Sequence, residues 1–431
     1  MIRGLCLLLA VLPLVSCYGD GSEVEDDIPI QPELLRAYQA DSPKQLIGGD
    51  VSMAQVGDYI MENERIRIAI VGERPSPGPG IFGGTLVDAD LVRPDARFRN
   101  GNGRDQFAEM FPFANLLAPR PESIQIQIVA DGSDGKEAIV RVAGEGEFFL
   151  EALSLFKSPL AAQLFPNLKM NLSLQTDYIL EPGANYVRMV TKVQRTDPTP
   201  WADSLTCSSK FECDKDCPTG VVFDSDGCPT CECANDGALP LTSFKKTAAV
   251  FGVALGSLED DIAPGMVTGD FVFFGGQNDI FAPGMGFDEE KTIFDALFQG
   301  LDPFTFPLEF DYMAASGGAV SYGYFTANAP GETEPKVLVP IITSSATAFA
   351  THSANCTTNS DDDETCDNFN TWTYERYFVV GEGDVASIAE TVYKVRGTKV
   401  GTLSGVVMES QGEPAKNGRV FILQNPDTNV T

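Results

Sequence analysis

Across 431 residues, 61 acidic side chains face 30 basic ones, a net charge of −31 at pH 7. Such a surplus disfavours binding to nucleic acid and to anionic membrane surfaces, and leaves calcium and cationic ligands admissible. The chain holds one histidine, His352, which excludes multi-histidine metal sites. A Ser-His-Asp triad would have to run through His352, yet it lies in Ala350-Thr351-His352-Ser353 and no nucleophile elbow occurs anywhere. It is therefore expected to be a surface or structural residue. The acidic residues supply many carboxylate pairs of the kind glycoside hydrolysis uses, and no motif selects one. No cofactor and no metal site are expected.

In chain order, Arg3 precedes an apolar run from Leu5 to Val15. A bilayer-spanning helix needs about 20 apolar residues, so the run reads as the core of a secretory signal. Leu14-Val15-Ser16-Cys17 resembles the bacterial lipobox, whose cysteine is lipidated and becomes the mature N-terminus. That resemblance implies a signal peptide over 1–16, a lipid on Cys17 and anchorage in the cell envelope. Tyr18, where inner-membrane retention would use aspartate, points to the outer membrane. Gly19 to Pro32 is acidic and lacks aromatics, so residues 17–44 read as a solvated tether.

The body reads as β. Ile66 to Val71 alternates, and Ile124 to Val129 meets the turn Asp131 to Gly135 and returns through Ala138 to Val142 as a hairpin. A second hairpin runs from Leu172 to Leu180, turns at Pro182-Gly183-Ala184-Asn185, and continues from Tyr186 to Val193. Further strands are expected at Ala248–Leu255, Val267–Phe274, Ala319–Thr326, Lys336–Ile342 and Tyr374–Val380. One helix is capped by Asp384, carries the stripe Val385, Ile388, Ala389, Val392 and Val395, and ends at Gly397; another is expected over Glu290 to Gln299. The fold class is thus mainly β: a large antiparallel sandwich-like domain over 45–200 and 237–398, with few helices.

Between these parts, residues 201–236 are polar and hold Cys207, Cys213, Cys217, Cys228, Cys231 and Cys233. Twenty-seven residues bury too little to fold without covalent or metal cross-links. Zinc on Cys213-x3-Cys217 with Cys228-x2-Cys231 is one reading. An oxidising compartment, the lack of a nearby histidine and the two left-over cysteines favour the other, disulfides. Cys356 and Cys366 make up an even set of eight once Cys6 and Cys17 are set aside. The acidic run Asp361-Asp362-Asp363-Glu364 between them reads as a solvated loop.

Cys217-Pro218-Thr219-Gly220 with Asp226-Gly227-Cys228-Pro229-Thr230-Cys231-Glu232-Cys233 resembles the C-terminal half of an antistasin-like module, the unit of leech-type serine protease inhibitors. The resemblance implies bridges Cys207–Cys228, Cys213–Cys231 and Cys217–Cys233. It also implies a contact loop whose specificity residue follows the second cysteine, here Asp214, with Lys215 beside it. Trypsin-like targets require Arg or Lys there, to pair with a carboxylate in the enzyme's pocket, so Asp214 argues against them.

At the end, Gly401-Thr402-Leu403-Ser404-Gly405-Val406-Val407, Gly412-Glu413-Pro414 and Gly418-Arg419-Val420-Phe421-Ile422 resemble the opening of a carboxypeptidase-regulatory-like domain. This implies a partial immunoglobulin-like sandwich over 399–431. The expected function is a lipid-anchored, non-enzymatic envelope protein that binds a protein partner through the antistasin-like module, including an extracellular serine protease. The alternatives are a sandwich for glycan or surface attachment, with Trp201, Trp372 or Tyr374 stacking on sugars, and the non-catalytic N-terminal part of a larger envelope hydrolase.

Overall fold

The computed structural model describes residues 35–80, 82–114, 117–148, 172–195, 221–223, 229–233, 265–276, 278–283, 286–287, 308–326, 337–342, 346–355, 371–401, 405–409 and 412–415. The strands before the cysteine-rich stretch are β1 (Arg36–Gln39), β2 (Tyr59–Glu62), β3 (Ile66–Ile70), β4 (Leu86–Leu91), β5 (Glu109–Ala114), β6 (Leu117–Pro119), β7 (Gln125–Asp131), β8 (Ala138–Phe148), β9 (Leu172–Leu180) and β10 (Tyr186–Arg195). Within it are β11 (Val221–Phe223) and β12 (Pro229–Cys233). After it come β13 (Gly265–Phe273), β14 (Asp279–Ala282), β15 (Gly286–Phe287), β16 (Leu308–Phe310), β17 (Met313–Ser316), β18 (Ser321–Thr326), β19 (Val337–Ile342), β20 (Ala346–Asn355) and β21 (Thr371–Gly381). Helix α1 (Val385–Val395) follows.

Two antiparallel sheets emerge. In the first, neighbours run β1-β2-β3-β4-β5-β13-β20-β19-β16. In the second they run β7-β8-β9-β10-β21-β18-β17-β14-β15. The long β8 joins them, because its far end pairs with β6, itself paired to β5. The strand after the cysteine-rich stretch, β13, and the strand before it, β10, lie in different sheets and contribute Val272 and Met189 to one core.

Strand alternation explains which side chains meet. On β3, Ile66, Ile68 and Ile70 face the core between the sheets; on β18, Tyr322 and Tyr324 do, and on β21, Phe378 and Val380. All five residues of β3 are buried, although its alternation predicts one wet face. The reason is a covering segment: Ala40, Ile47 and Ala54 pack over Ile60, Ala69, Val71 and Val87 on the outer side of the first sheet. This body starts earlier than composition indicates, since β1 and the buried Leu35, Ala37 and Ala40 lie inside the stretch expected as tether.

The two hairpins have the expected strands and turns, with Gly132, Gly135 and Gly183 at positive φ. Helix α1 also forms as expected. Asp384 accepts from the Ser387 amide at 2.9 Å, and the apolar stripe lies on the outer side of the second sheet, against Tyr312, Ala314, Phe325, Tyr377 and Val379. The helix approaches so closely that a Cβ on Gly323 would sit 2.3 Å from the Ile388 side chain. The strand expected at 248–255 and the helix expected over 290–299 lie outside the described residues. Within 399–431, where a partial immunoglobulin-like sandwich is expected, the described residues form an isolated antiparallel bridge between Met408 and Pro414, with the Ala415 amide donating to the Val407 carbonyl at 2.8 Å and Gly412 at φ 85°. Val406 is 73% exposed beside it.

Hydrogen bonds also cross the apolar core between the sheets. Four tyrosines of the second sheet reach the first: Tyr178 donates to the Gly84 carbonyl at 3.0 Å, Tyr322 to Ala89 at 3.0 Å, Tyr324 to the Asp270 carboxylate at 2.7 Å and Tyr374 to Gly269 at 3.0 Å. Arg376, fully buried, grips Asp270 with two bonds of 2.7 Å and donates to Thr191 at 2.6 Å, which meets Thr176 at 2.7 Å. Its guanidinium lies 4.7 Å from the Tyr374 ring centroid. Burial works against the cation, and the Asp270 charge overrides it, so Arg376 keeps its proton more firmly than a free arginine. Removing one partner strands a buried charge, at about 3–5 kcal/mol. Arg376→Met should therefore lower unfolding free energy by about that amount in urea titrations, and the double change Arg376→Met, Asp270→Leu should recover most of it.

Candidate functional site

The cysteine-rich segment contains one described element, an antiparallel hairpin in which Val221 pairs with Cys233 and Phe223 with Pro229, with a register shift between them. Pro229 stands first in its strand, where a missing N–H is tolerated. Cys231 and Cys233 are thus two positions apart in one short strand. Such a two-stranded unit is marginal alone in water. Cys17, Cys207, Cys213, Asp214, Lys215, Cys217, Cys228, Cys356 and Cys366 lie outside the described residues. His352 belongs to β20, opposite Thr268 of β13.

Of the aromatics considered for sugar stacking, Trp201 lies outside the described residues and Trp372 stands in β21 opposite Val193. Tyr374 is corrected: it is 1% exposed, its hydroxyl is spent on the opposite sheet, and no sugar can reach it. Alternation along a strand does not tell an inward tyrosine from an outward one, so the sequence alone could not place it.

The fold gathers carboxylates that no motif marked. Asp88, on β4, accepts from the Met53 amide at 2.7 Å and the Ser52 hydroxyl at 2.9 Å, pinning the segment that covers the first sheet. Asp58 accepts from Gln55 and Gly72 amides at 2.7 and 2.8 Å and pairs with Arg74. Asp105 accepts from Ala89 at 2.8 Å and Phe107 at 3.1 Å, while its Oδ2 has no hydrogen-bond partner among the described residues. Glu109, on β5, accepts from the Ser76 hydroxyl and the Gly80 amide, both at 2.5 Å. A Cβ on Gly78 or Gly80 would come within 2.3 Å of that carboxylate, so only glycine lets the loop close over it.

Burial pushes Asp88 up to about 6, with bonds from Met53, Ser52 and Ala54 opposing and Asp58 adding to the rise. Burial, then the Asp88 charge, drives Asp105 well above the usual carboxylate range, and burial raises Glu109. These groups brace loops. The nearby cleft is lined by Phe82, Gly84, Thr85, Phe111, Val142 and Thr176 among others, and none of its described lining residues is a carboxylate. Among the described residues no cluster of three or more His, Cys, Asp or Glu is arranged to hold a metal ion, and no helix is long and apolar enough to cross a membrane.

A signal the sequence reading passed over is arginine density: Arg93, Arg97, Arg99 and Arg104 fall within twelve residues of a strongly acidic chain.

Because the folded pKa of Asp88 exceeds its unfolded value of 3.8, folding takes up a proton between about pH 4 and pH 6. Its contribution is greatest at or below pH 4 and declines as pH rises through 6. Relative to Asp88→Asn, the wild type should gain on the order of 2 kcal/mol when urea unfolding at pH 4 is compared with pH 7. An unchanged difference would sink this account.

Residues 207–233 match the Antistasin family. No curated protein sequence matches the chain. Among solved structures it is similar to a glycosyl hydrolase family 38 protein from Enterococcus faecalis (8% identity, 78% of this chain and 32% of that one, TM-score 0.35). It is also similar to an alpha-mannosidase from Enterococcus faecalis V583 (9% identity, 78% and 31%, TM-score 0.34). A third is the Slr1438 protein from Synechocystis sp. PCC 6803 (7% identity, 75% and 96%, TM-score 0.30). The chain spans about a third of the length of the two Enterococcus proteins. Likenesses this slight speak to neither substrate nor reaction. The family match is local: it covers 27 residues between strands of a large β-sandwich.

Proposed function

We propose that this chain is an exported, lipid-anchored envelope protein that binds a protein partner through its antistasin-like segment, the partner class being an extracellular serine protease. The observation that carries the reading is the family match at 207–233. The β11–β12 hairpin inside that match supports it, because inhibitors of this kind act by holding a loop in one conformation before binding, which lowers the ordering cost of association. In this reading Cys17 carries the lipid, the six clustered cysteines form bridges, and the Asp214–Lys215 loop meets the protease. Each bridge contributes about 3 kcal/mol by restricting the unfolded segment.

Specificity follows from charge. Aspartate at the contact position repels the carboxylate of a trypsin-like pocket, whereas arginine would pair with it in a bidentate fork. The whole chain should bind or slow at least one protease of a broad extracellular serine-protease panel, and lose that binding after disulfide reduction. Asp214→Arg should tighten binding to trypsin by about tenfold or more, measured as the inhibition constant. If no protease binds the wild type and Asp214→Arg gains nothing against trypsin, the inhibitor reading is lost.

A further inference from the structure

Residues 50–56 lie over the outer side of the first sheet with little apolar contact to hold them. Ala54 is the one buried side chain among them, while Asp50, Gln55 and Val56 are exposed. Both ends of this strap are fixed through backbone. Gly49 bridges to Asp105, and the Gly57 amide donates to the Ala40 carbonyl at 2.8 Å. Gly57 turns the chain at φ 101°, a conformation that glycine adopts without strain.

The middle of the strap is held by one carboxylate beneath it. Asp88, fully buried on β4, accepts from the Met53 amide at 2.7 Å and the Ser52 hydroxyl at 2.9 Å. It also shares the Ala54 amide between its two oxygens, at 3.3 and 3.2 Å. Further ties run to Asp58 and Arg74. The Gln55 amide donates to Asp58 at 2.7 Å, and Arg74 donates to the Met53 carbonyl at 3.2 Å.

The charged groups around Asp88 are chiefly acidic. Asp58 and Asp105 are close enough for charge on one to be felt by the other, and Asp90 follows two residues along β4. Arg74 neutralises Asp58, and Arg93 neutralises Asp90. Opposite Asp88 on β3 stands Ala69, which brings no charge, and Asp50 of the strap is exposed. The groups that bond Asp88 are two amides, one shared amide contact and a hydroxyl of the strap, none of them a cation. A neutral Asp88 keeps these ties, since one oxygen still accepts from Met53 while the other donates its proton to Ser52. An ionised Asp88 sets a charge under the strap without the water that would solvate it. Lifting the middle of the strap admits that water while both ends stay fixed.

We propose that residues 50–56 are a proton-gated cover, closed over the first sheet while Asp88 is neutral and lifted when Asp88 ionises. Burial holds the closed-state carboxyl at about 6, against 3.8 when solvated. Below about pH 4 the proton is present in both states, and closure is strongest. Between about pH 4 and pH 6 opening gains about tenfold per pH unit, and above that it levels off. This is a local opening, distinct from unfolding of the sandwich.

Amide hydrogen exchange of the whole chain at pH 4 and pH 7, corrected for intrinsic rates, tests this. Protection of Met53 and Ala54 should fall by about a hundredfold from pH 4 to pH 7, beyond any change in the β9–β10 ladder. Asp88→Asn, which cannot ionise, should remove that dependence. Ser52→Ala keeps the carboxylate, so it should lower protection at both pH values and retain the dependence. Thermal melts establish that each variant is folded. The proposal is overturned if protection at Met53 and Ala54 is equal at the two pH values, falls on acidification, or follows the β9–β10 ladder throughout. It is equally overturned if a folded Asp88→Asn keeps the dependence or Ser52→Ala loses it.

Discussion

The sandwich depends on a charge held where water does not reach. Arg376 and Asp270 come from opposite sheets, so their two bonds tie the layers together as well as satisfying one another. Tyr324 shares Asp270, Tyr374 lies under the guanidinium, and Thr191 accepts from Arg376 while its hydroxyl also meets that of Thr176. An apolar layer of the same volume would hold the sheets at least as strongly, as replacements of buried ion pairs in other proteins have shown. What the polar pairing adds is position: a slip of either sheet by one residue would turn Arg376 or Asp270 outward and leave its partner stranded. The four tyrosine hydroxyls act the same way, each ending on one named carbonyl or carboxylate.

Much of this architecture is legible in the sequence, because period-two alternation and glycine turns encode β8, β9 and β10 directly. Helix α1 is equally plain, with its cap, stripe and terminating Gly397. Short strands such as β6 and β15 carry too few residues to show a period. The burial of both faces of β3 escapes a local reading, because the covering residues Ile47 and Ala54 come from a separate segment, and β1 is hidden in a stretch whose polar composition suggests a tether. Polar core residues are the hardest class: nothing in Thr191, Tyr374 or Arg376 separates a strut between sheets from a solvent-facing side chain. Of the candidate site, the cysteine spacing is legible and matches a family over residues 207–233.

The buried carboxylates and the cysteine-rich segment divide the labour. Asp58, Asp88, Asp105 and Glu109 fasten irregular segments to the first sheet by accepting backbone amides, which lets loops rich in glycine and proline keep one shape. The described part of the cysteine-rich segment is a two-stranded hairpin, a unit that is marginal alone in water.

The order in which the chain visits the two sheets has a consequence for folding. β21, near the end of the sandwich sequence, fits between β10 and β18 in the middle of the second sheet. Two halves of that sheet must therefore wait for residues 371–381 before they share a ladder, and the Asp270 carboxylate waits for Arg376. Pairings this distant in sequence close slowly and leave strand edges exposed meanwhile. The cysteine-rich segment leaves the ribosome well before that closure, so it emerges while the body around it is still open.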